Sequence, residues 1–142
     1  MALPTKIRLE IVTPDRLLVR EEVDEVVVPG SEGELGILPG HTPLLATLKV
    51  GELWYRHESE RHYAVIGFGF VEVLPDRVTV LAQVGERAQD IDLARAERAR
   101  LRAEERLATP MSTVDFDIER ARIALMKSLL RLQVASRART RA

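Results

Sequence analysis

Cysteine is absent from the 142 residues, which excludes disulfides, thiolate metal sites and a cysteine nucleophile. Aromatic residues amount to 4%, leaving few platforms on which nucleic-acid bases could stack. The three histidines, His41, His57 and His62, show no HExxH or other metal-ligand spacing, so no metal site is expected. No apolar run approaches the ~18–20 residues that span a bilayer. The opening MALPTKIRLE lacks a signal-peptide core, so the cytoplasm is expected and membrane association is expected only through a partner. There is no GxSxG elbow, and the glycine-rich stretch at Pro29–Gly36 lacks the Gly-Lys-[Ser/Thr] ending of a phosphate loop. Gly67-Phe68-Gly69 is too short for a dinucleotide fingerprint, and inside a β run it predicts a bulge or close packing. These absences leave an enzyme reading with no chemistry to rest on.

What is present is an ordinary globular composition, 46% hydrophobic and 30% charged, with a net charge of −1. That near-neutral total conceals an asymmetry. Residues 1–88 hold 9 Lys+Arg against 14 Asp+Glu, and residues 89–142 hold 12 against 8. After Glu119 no carboxylate side chain follows, while Arg120, Arg122, Lys127, Arg131, Arg137, Arg139 and Arg141 do. A basic surface of this kind suits an acidic protein loop or a nucleotide. Nucleic acid fits worst, since no aromatics are interleaved with the cations.

The first part of the chain reads as short strands. Apolar residues alternate in Lys6–Ile11, and further candidates run over 17–19, 23–28, 44–50, 54–56, 61–65, 68–74 and 78–84. The stretch 29–43 contains four glycines and three prolines, so it reads as a long loop, a frequent seat of function. Strands at such regular spacing predict an antiparallel sandwich over residues 1–88. Near Gln89 the character changes. Ala, Arg, Glu and Leu dominate from Asp90 to Ala108, which predicts a helix over 90–108 with Asp90 as its cap. Pro110 interrupts, and Ser112 with Asp115 has capping-box spacing for a second helix over 114–137. The fold class expected is α+β in two parts, a β-sandwich followed by an antiparallel two-helix hairpin spanning 89–142.

Two constellations stand out. Asp92, Arg95 and Ala96 share a face of the first helix, and Arg120, Lys127 and Arg131 fall within about 40° of one another on the second. Together they could hold a polyanion such as a nucleotide triphosphate, or be an Asp–Arg salt bridge beside solvated cations. The other is the long glycine-rich loop itself.

That loop carries a resemblance. Val28-Pro29-Gly30-Ser31-Glu32-Gly33-Glu34-Leu35-Gly36-Ile37-Leu38-Pro39-Gly40-His41-Thr42-Pro43-Leu44-Leu45 closely resembles the signature loop of epsilon subunits of F-type ATP synthases. The likeness continues through Val78–Ala82, through Asp90-Ile91-Asp92 with Arg95-Ala96, and through Arg131–Ala135. It implies a sandwich of about ten strands and a mobile hairpin, in a non-catalytic central-stalk subunit on the cytoplasmic face of a bacterial inner membrane. The implied partners are the gamma subunit, the polar loops of the c-ring and the alpha/beta catalytic subunits. Contacts to the c-ring and gamma would come from Ser31, Glu32, Glu34, His41 and Pro43. In the extended state Arg120, Arg122, Lys127 and Arg131 would meet acidic segments of the beta subunits and restrain ATP hydrolysis. Opposite-sign patches suit that task. No cofactor is required, but ATP is implied as a regulatory ligand of the closed hairpin through Ile91, Asp92, Arg95, Ala96, Arg120, Lys127 and Arg131. Lys127 departs from the arginine typical there, keeping the charge without the bidentate fork. A reading of a different class is a stand-alone ATP-sensing module.

Overall fold

Alternation in the first strand sets the pattern for the amino-terminal unit. β1 (Ile7–Val12) buries Ile7, Leu9 and Ile11 while Arg8 faces water, the two-residue period of a strand with one covered face. The computed structural model describes residues 3–108 and 115–139, and the chain divides into Met1–Arg87 and Ala88–Ala142.

In the first unit β2 (Leu17–Val23), β3 (Glu25–Gly30), β4 (Gly33–Ile37), β5 (Leu44–Leu48), β6 (Gly51–His57), β7 (Glu60–Leu74) and β8 (Arg77–Arg87) follow β1. The hydrogen-bonded order is β2-β1-β8-β7-β5-β3-β4, with β6 bridging β3 and β7. All pairings are antiparallel except β1 with β8. Among the described residues there are eight strands where about ten were expected. The reason lies in two long strands. β7 has 15 residues and β8 has 11; β7 pairs with β6 over Glu60–Ile66 and with β5 over Gly69–Val73. One continuous strand thus serves both layers.

The change of layer falls at Gly67-Phe68-Gly69. Register with β8 is the same on both sides, Gly67 opposite Val84 and Gly69 opposite Ala82, so no residue is inserted and the feature is not a bulge. Phe68 instead adopts φ 55°, and a Cβ on Gly69 would lie 1.8 Å from the Leu81 carbonyl oxygen. Close packing explains the glycine. The core between the layers is aliphatic, with Ile7, Leu9, Ile11, Ile37, Leu53 and Ile66 all at 0% exposure.

The long loop expected over 29–43 is mostly strand. Val28 pairs with Leu35 and Gly30 with Gly33, leaving Ser31 and Glu32 as a two-residue hairpin turn. Only residues 38–43 remain irregular. The glycines there masked the alternation of Leu35 and Ile37, which point to the core.

The second unit begins with a 3-10 turn, Ala88–Asp90, followed by α1 (Leu93–Ala108) and α2 (Asp115–Arg139). The cap of α1 is Asp92, not Asp90. Asp92 Oδ1 accepts the Arg95 N–H at 3.1 Å, the bond an N-cap side chain makes three residues on. The expected capping box cannot be followed to Asp115, because Ser112 lies outside the described residues. The seam between the helices is built from Ala96 and Ala103 on α1 and Ala121, Ser128 and Ala135 on α2. Each set recurs every seven residues, the spacing of a helix–helix stripe.

Candidate functional site

The hairpin turn at Ser31-Glu32 is tied to β5. The Ser31 N–H donates to the Thr47 carbonyl at 2.9 Å, and Lys49 N–H to the Pro29 carbonyl at 3.0 Å. Thr47 Oγ1 donates to Ser31 Oγ at 2.8 Å. Beside this clamp lies an open concavity of about 430 Å³, lined by Ser31, Glu32, Leu35, Leu44, Leu45 and Thr47 among others. Of the contact residues expected from the sequence, the concavity gathers Ser31 and Glu32. Glu34, His41 and Pro43 lie outside its lining. Glu34 is exposed on β4 opposite Pro29. His41 is half-buried; its Nδ1 lies 2.7 Å from the Thr42 carbonyl, and its backbone N–H donates to Leu38 at 3.2 Å. Pro43 is exposed just ahead of β5.

The sequence reading passed over a larger feature. Leu17 is the register partner of Val12, Val12 of Leu81, Leu81 of Phe70, and Phe70 of Thr47. Residues opposite one another in a ladder share a face, so these five form a row across five strands. Leu17 is 50% exposed, Leu81 52% and Phe70 53%, with Leu45 at 69% diagonal to Phe70. A contiguous apolar patch on a polar-rimmed sheet marks an interaction surface. A sequence signal did exist. Phe68-Gly69-Phe70-Val71 and Val80-Leu81-Ala82 are apolar at consecutive positions, which means both faces of the strand are meant to be covered.

A charged cluster closes the opposite end of the same unit. Lys6 Nζ donates to Asp24 Oδ1 at 2.6 Å, Glu58 N–H donates to Asp24 Oδ2 at 2.7 Å, and Arg56 lies 3.8 Å away. The Lys6 hydrogen bond first, then the Glu58 amide, holds the Asp24 carboxyl below the usual carboxylate range. Tyr55 is pushed up to about 12, by burial first and then by Glu21. These groups order the β6–β7 hairpin.

On the hairpin the expected nucleotide residues separate into roles. Ile91 and Ala96 are buried, and Asp92 is engaged as the cap. Arg95 is exposed near the start of α1. Arg120, Lys127 and Arg131 share one side of α2, and each has interactions of its own; Arg122 is exposed on a different side. At ~1.5 Å per residue, Arg120 lies about 10 Å from Lys127 and about 16 Å from Arg131 along α2. The cations of the expected nucleotide cradle are Arg95 on α1 and Arg120, Lys127 and Arg131 on α2. No His/Cys/Asp/Glu cluster fit for a metal exists among the described residues. No described helix is long and apolar enough to cross a membrane.

Two features, a β-sandwich with one apolar outer face and a basic hairpin held by small residues, define a two-part interaction module. Comparison with known proteins says which. Residues 6–88 match the family described as ATP synthase, Delta/Epsilon chain, beta-sandwich domain, and residues 89–136 match its long alpha-helix domain. The ATP synthase epsilon chain of Herpetosiphon aurantiacus is 52% identical over 136 residues, covering 95% of this chain and 98% of the relative. That of Syntrophobacter fumaroxidans is 51% identical over 133 residues, covering 93% and 97%. A chain in the Euglena gracilis mitochondrial ATP synthase structure (OSCP/F1/c-ring) superposes with a TM-score of 0.73 at 25% identity, covering 91% of this chain and 82% of that one. The chain belongs to the ATP synthase delta/epsilon family, among the epsilon chains of F-type ATP synthases.

Proposed function

We propose that this chain is a non-catalytic central-stalk subunit that couples rotation of a c-ring to ATP synthesis and restrains ATP hydrolysis through its hairpin. The observation that carries the reading is the apolar row of Leu17, Val12, Leu81 and Phe70 with Leu45 beside it. A rotor subunit must transmit torque without slipping, and that needs a broad dry contact as well as polar ones. In this reading the row meets the gamma subunit. The tip bearing Ser31, Glu32 and Glu34 meets the polar loops of the c-ring, with His41 and Pro43 toward gamma. The basic side of α2, with Arg120, Arg122, Lys127 and Arg131, engages acidic segments of the catalytic subunits. The chain is peripheral, on the cytoplasmic face of the inner membrane.

ATP is the regulatory ligand in this proposal, held by Arg95, Arg120, Lys127 and Arg131. Asp92 supports the cradle through the cap that fixes Arg95 rather than through direct contact. Two measurements test the reading. Removing residues after Thr109 raises ATP hydrolysis by the assembled enzyme and leaves assembly intact; unchanged hydrolysis overturns the restraining role. Titration of the full chain with MgATP gives binding heat that Arg131→Gln abolishes, and silence at millimolar nucleotide removes ATP from the account.

A further inference from the structure

Among the described residues two that are not glycine hold a positive φ, Glu58 at 56° and Phe68 at 55°. Glu58 has a local reason. It opens the two-residue turn between β6 and β7, where positive φ matches the twist of the strands, and its N–H donates to Asp24 Oδ2 at 2.7 Å. Phe68 has no turn to serve. It sits inside β7, with the pairing to β8 in the same register on either side of it. Close packing fixes the backbone around it: a Cβ on Gly67 would lie 2.8 Å from Val50 Cγ2, and one on Gly69 would meet the Leu81 oxygen. Left-handed backbone strains a bulky residue and leaves glycine unstrained. A third glycine would therefore suit position 68 best if the sandwich alone mattered. Burial does not offset the strain, because Phe68 is 42% exposed and lies outside the aliphatic core.

We propose that Phe68 is an aromatic anchor for the gamma subunit, held strained in the free chain so that its ring enters an apolar recess of that partner. The proposal rests on the reading that the row of Leu17, Val12, Leu81 and Phe70 meets gamma, and it adds the residue that the backbone itself singles out. Phe70, at 53% exposure, stands two residues further along β7, so two aromatic rings are open to solvent within one short stretch of strand. Strain kept at an exposed position is a mark of binding sites, where the surrounding structure holds the residue in place for its partner. The backbone of Phe68 is already pinned and its side chain has two torsions, so little freedom is lost when the ring is captured. Aromatic residues seated in desolvated recesses carry a large share of the affinity of an interface. The chemistry also selects among partners. Polar loops of a c-ring suit the hydroxyl and carboxylates of Ser31, Glu32 and Glu34, whereas a bare ring suits an apolar recess. Stability of the free chain and affinity for gamma therefore respond to position 68 in opposite ways.

The test uses the fluorescently labelled full-length chain and the assembled enzyme depleted of it, with rebinding followed by anisotropy. Phe68→Gly and Phe68→Asn, both at ease with positive φ, leave the thermal midpoint of the isolated chain at or above that of the parent. Both weaken rebinding about tenfold or more. Phe68→Tyr keeps the ring and rebinds within about threefold of the parent. The photoreactive analogue p-benzoylphenylalanine placed at position 68 cross-links to gamma on illumination. A midpoint several degrees below the parent for Phe68→Gly makes the ring a structural part of the sandwich and overturns the proposal. So does rebinding of Phe68→Gly as tight as the parent, or cross-linking to a c subunit or to a second copy of this chain instead of gamma. The double variant Phe70→Ser with Leu81→Gln separates this inference from the reading beneath it. If the double variant rebinds like the parent, the row is not the gamma contact and both ideas fall together. If it rebinds weakly while Phe68→Gly rebinds like the parent, the row stands and Phe68 alone is removed.

Discussion

In the amino-terminal unit the side chains withdrawn from water are large: Ile7, Leu9, Ile11, Ile37, Leu53 and Ile66 are all fully buried. In the carboxy-terminal unit they are small. Ala96, Ala103, Ala121, Ser128 and Ala135 make the seam, and Ile91 and Val134 are the branched aliphatics buried there among the described residues. Full burial of an Ile or Leu contributes roughly 1.5–3 kcal/mol, and an alanine offers far less area. The sandwich is therefore a rigid body whose shape is fixed by packing. The hairpin is held by close approach of two helices and little buried surface, so its opening free energy is the smaller of the two. Exposed Met126 and Leu129 on α2, each at 47%, are apolar area the seam leaves uncovered. The proposed function, a coupling subunit with a movable regulatory arm, has use for this division.

The comparison can be broken at its strongest point first. Gly69→Ala must part β7 from β8, because its Cβ would lie 1.8 Å from the Leu81 oxygen. The expected loss is about 4 kcal/mol or more, read as collapse of the sandwich in denaturant unfolding. A variant as stable as the parent would show that the kink is adaptable.

Next in size is a pair of opposed substitutions. Ile66→Ala opens a cavity in the sandwich and costs roughly 2–5 kcal/mol. Ala103→Leu overfills the helix seam, costs roughly 1–3 kcal/mol, and deprotects α1 in hydrogen exchange while the sandwich amides keep their protection. If Ala103→Leu lowers sandwich protection as much as helix protection, the two units are one cooperative body and the contrast drawn above fails.

A smaller effect concerns the interaction face. Phe70→Ser and Leu81→Gln remove exposed apolar area, so the isolated chain loses little stability. Assembly with a gamma subunit is expected to weaken by about 2 kcal/mol for Phe70→Ser if that face is an interface centre. Unchanged pull-down of gamma by the double variant removes the face from the contact.

The smallest effect is a pH dependence. The Asp24 carboxyl is held below its ordinary value. The stability it contributes is thus fully present above the unfolded-state value near 3.9 and is lost as pH falls through the lower folded value. Asp24→Asn is expected to lower the sandwich midpoint by a few degrees at neutral pH and to flatten its acid limb below about pH 4. An unchanged acid limb would show that Lys6 and Glu58 bond Asp24 without favouring its charge.

Much of this was legible in the chain. Strict alternation in Lys6–Ile11 and the composition break near Gln89 were enough for two parts and their types, and the residues from Val28 to Leu45 were enough for the family. Less was legible where a residue plays two parts. Asp92 reads as a ligand in a motif, and only the Arg95 N–H at 3.1 Å shows that it also caps the helix. The glycines of 30–40 suggested a long loop because glycine lowers strand propensity. Pairing of Val28 with Leu35 overrode that.

What the sequence by itself determined is everything set by local period and chemistry: which segments alternate, where the helices begin and end to within a few residues, and where positive charge gathers. What only the tertiary structure decided is which distant residues become neighbours. The row from Leu17 through Val12, Leu81 and Phe70 exists because β1 runs parallel to β8 while β7 runs antiparallel to it. No spacing along the chain encodes that register; it follows from burying the opposite face of each strand in one core. The seam of alanines in the hairpin is the converse case, visible as a seven-residue spacing but given meaning only when the two helices close on each other.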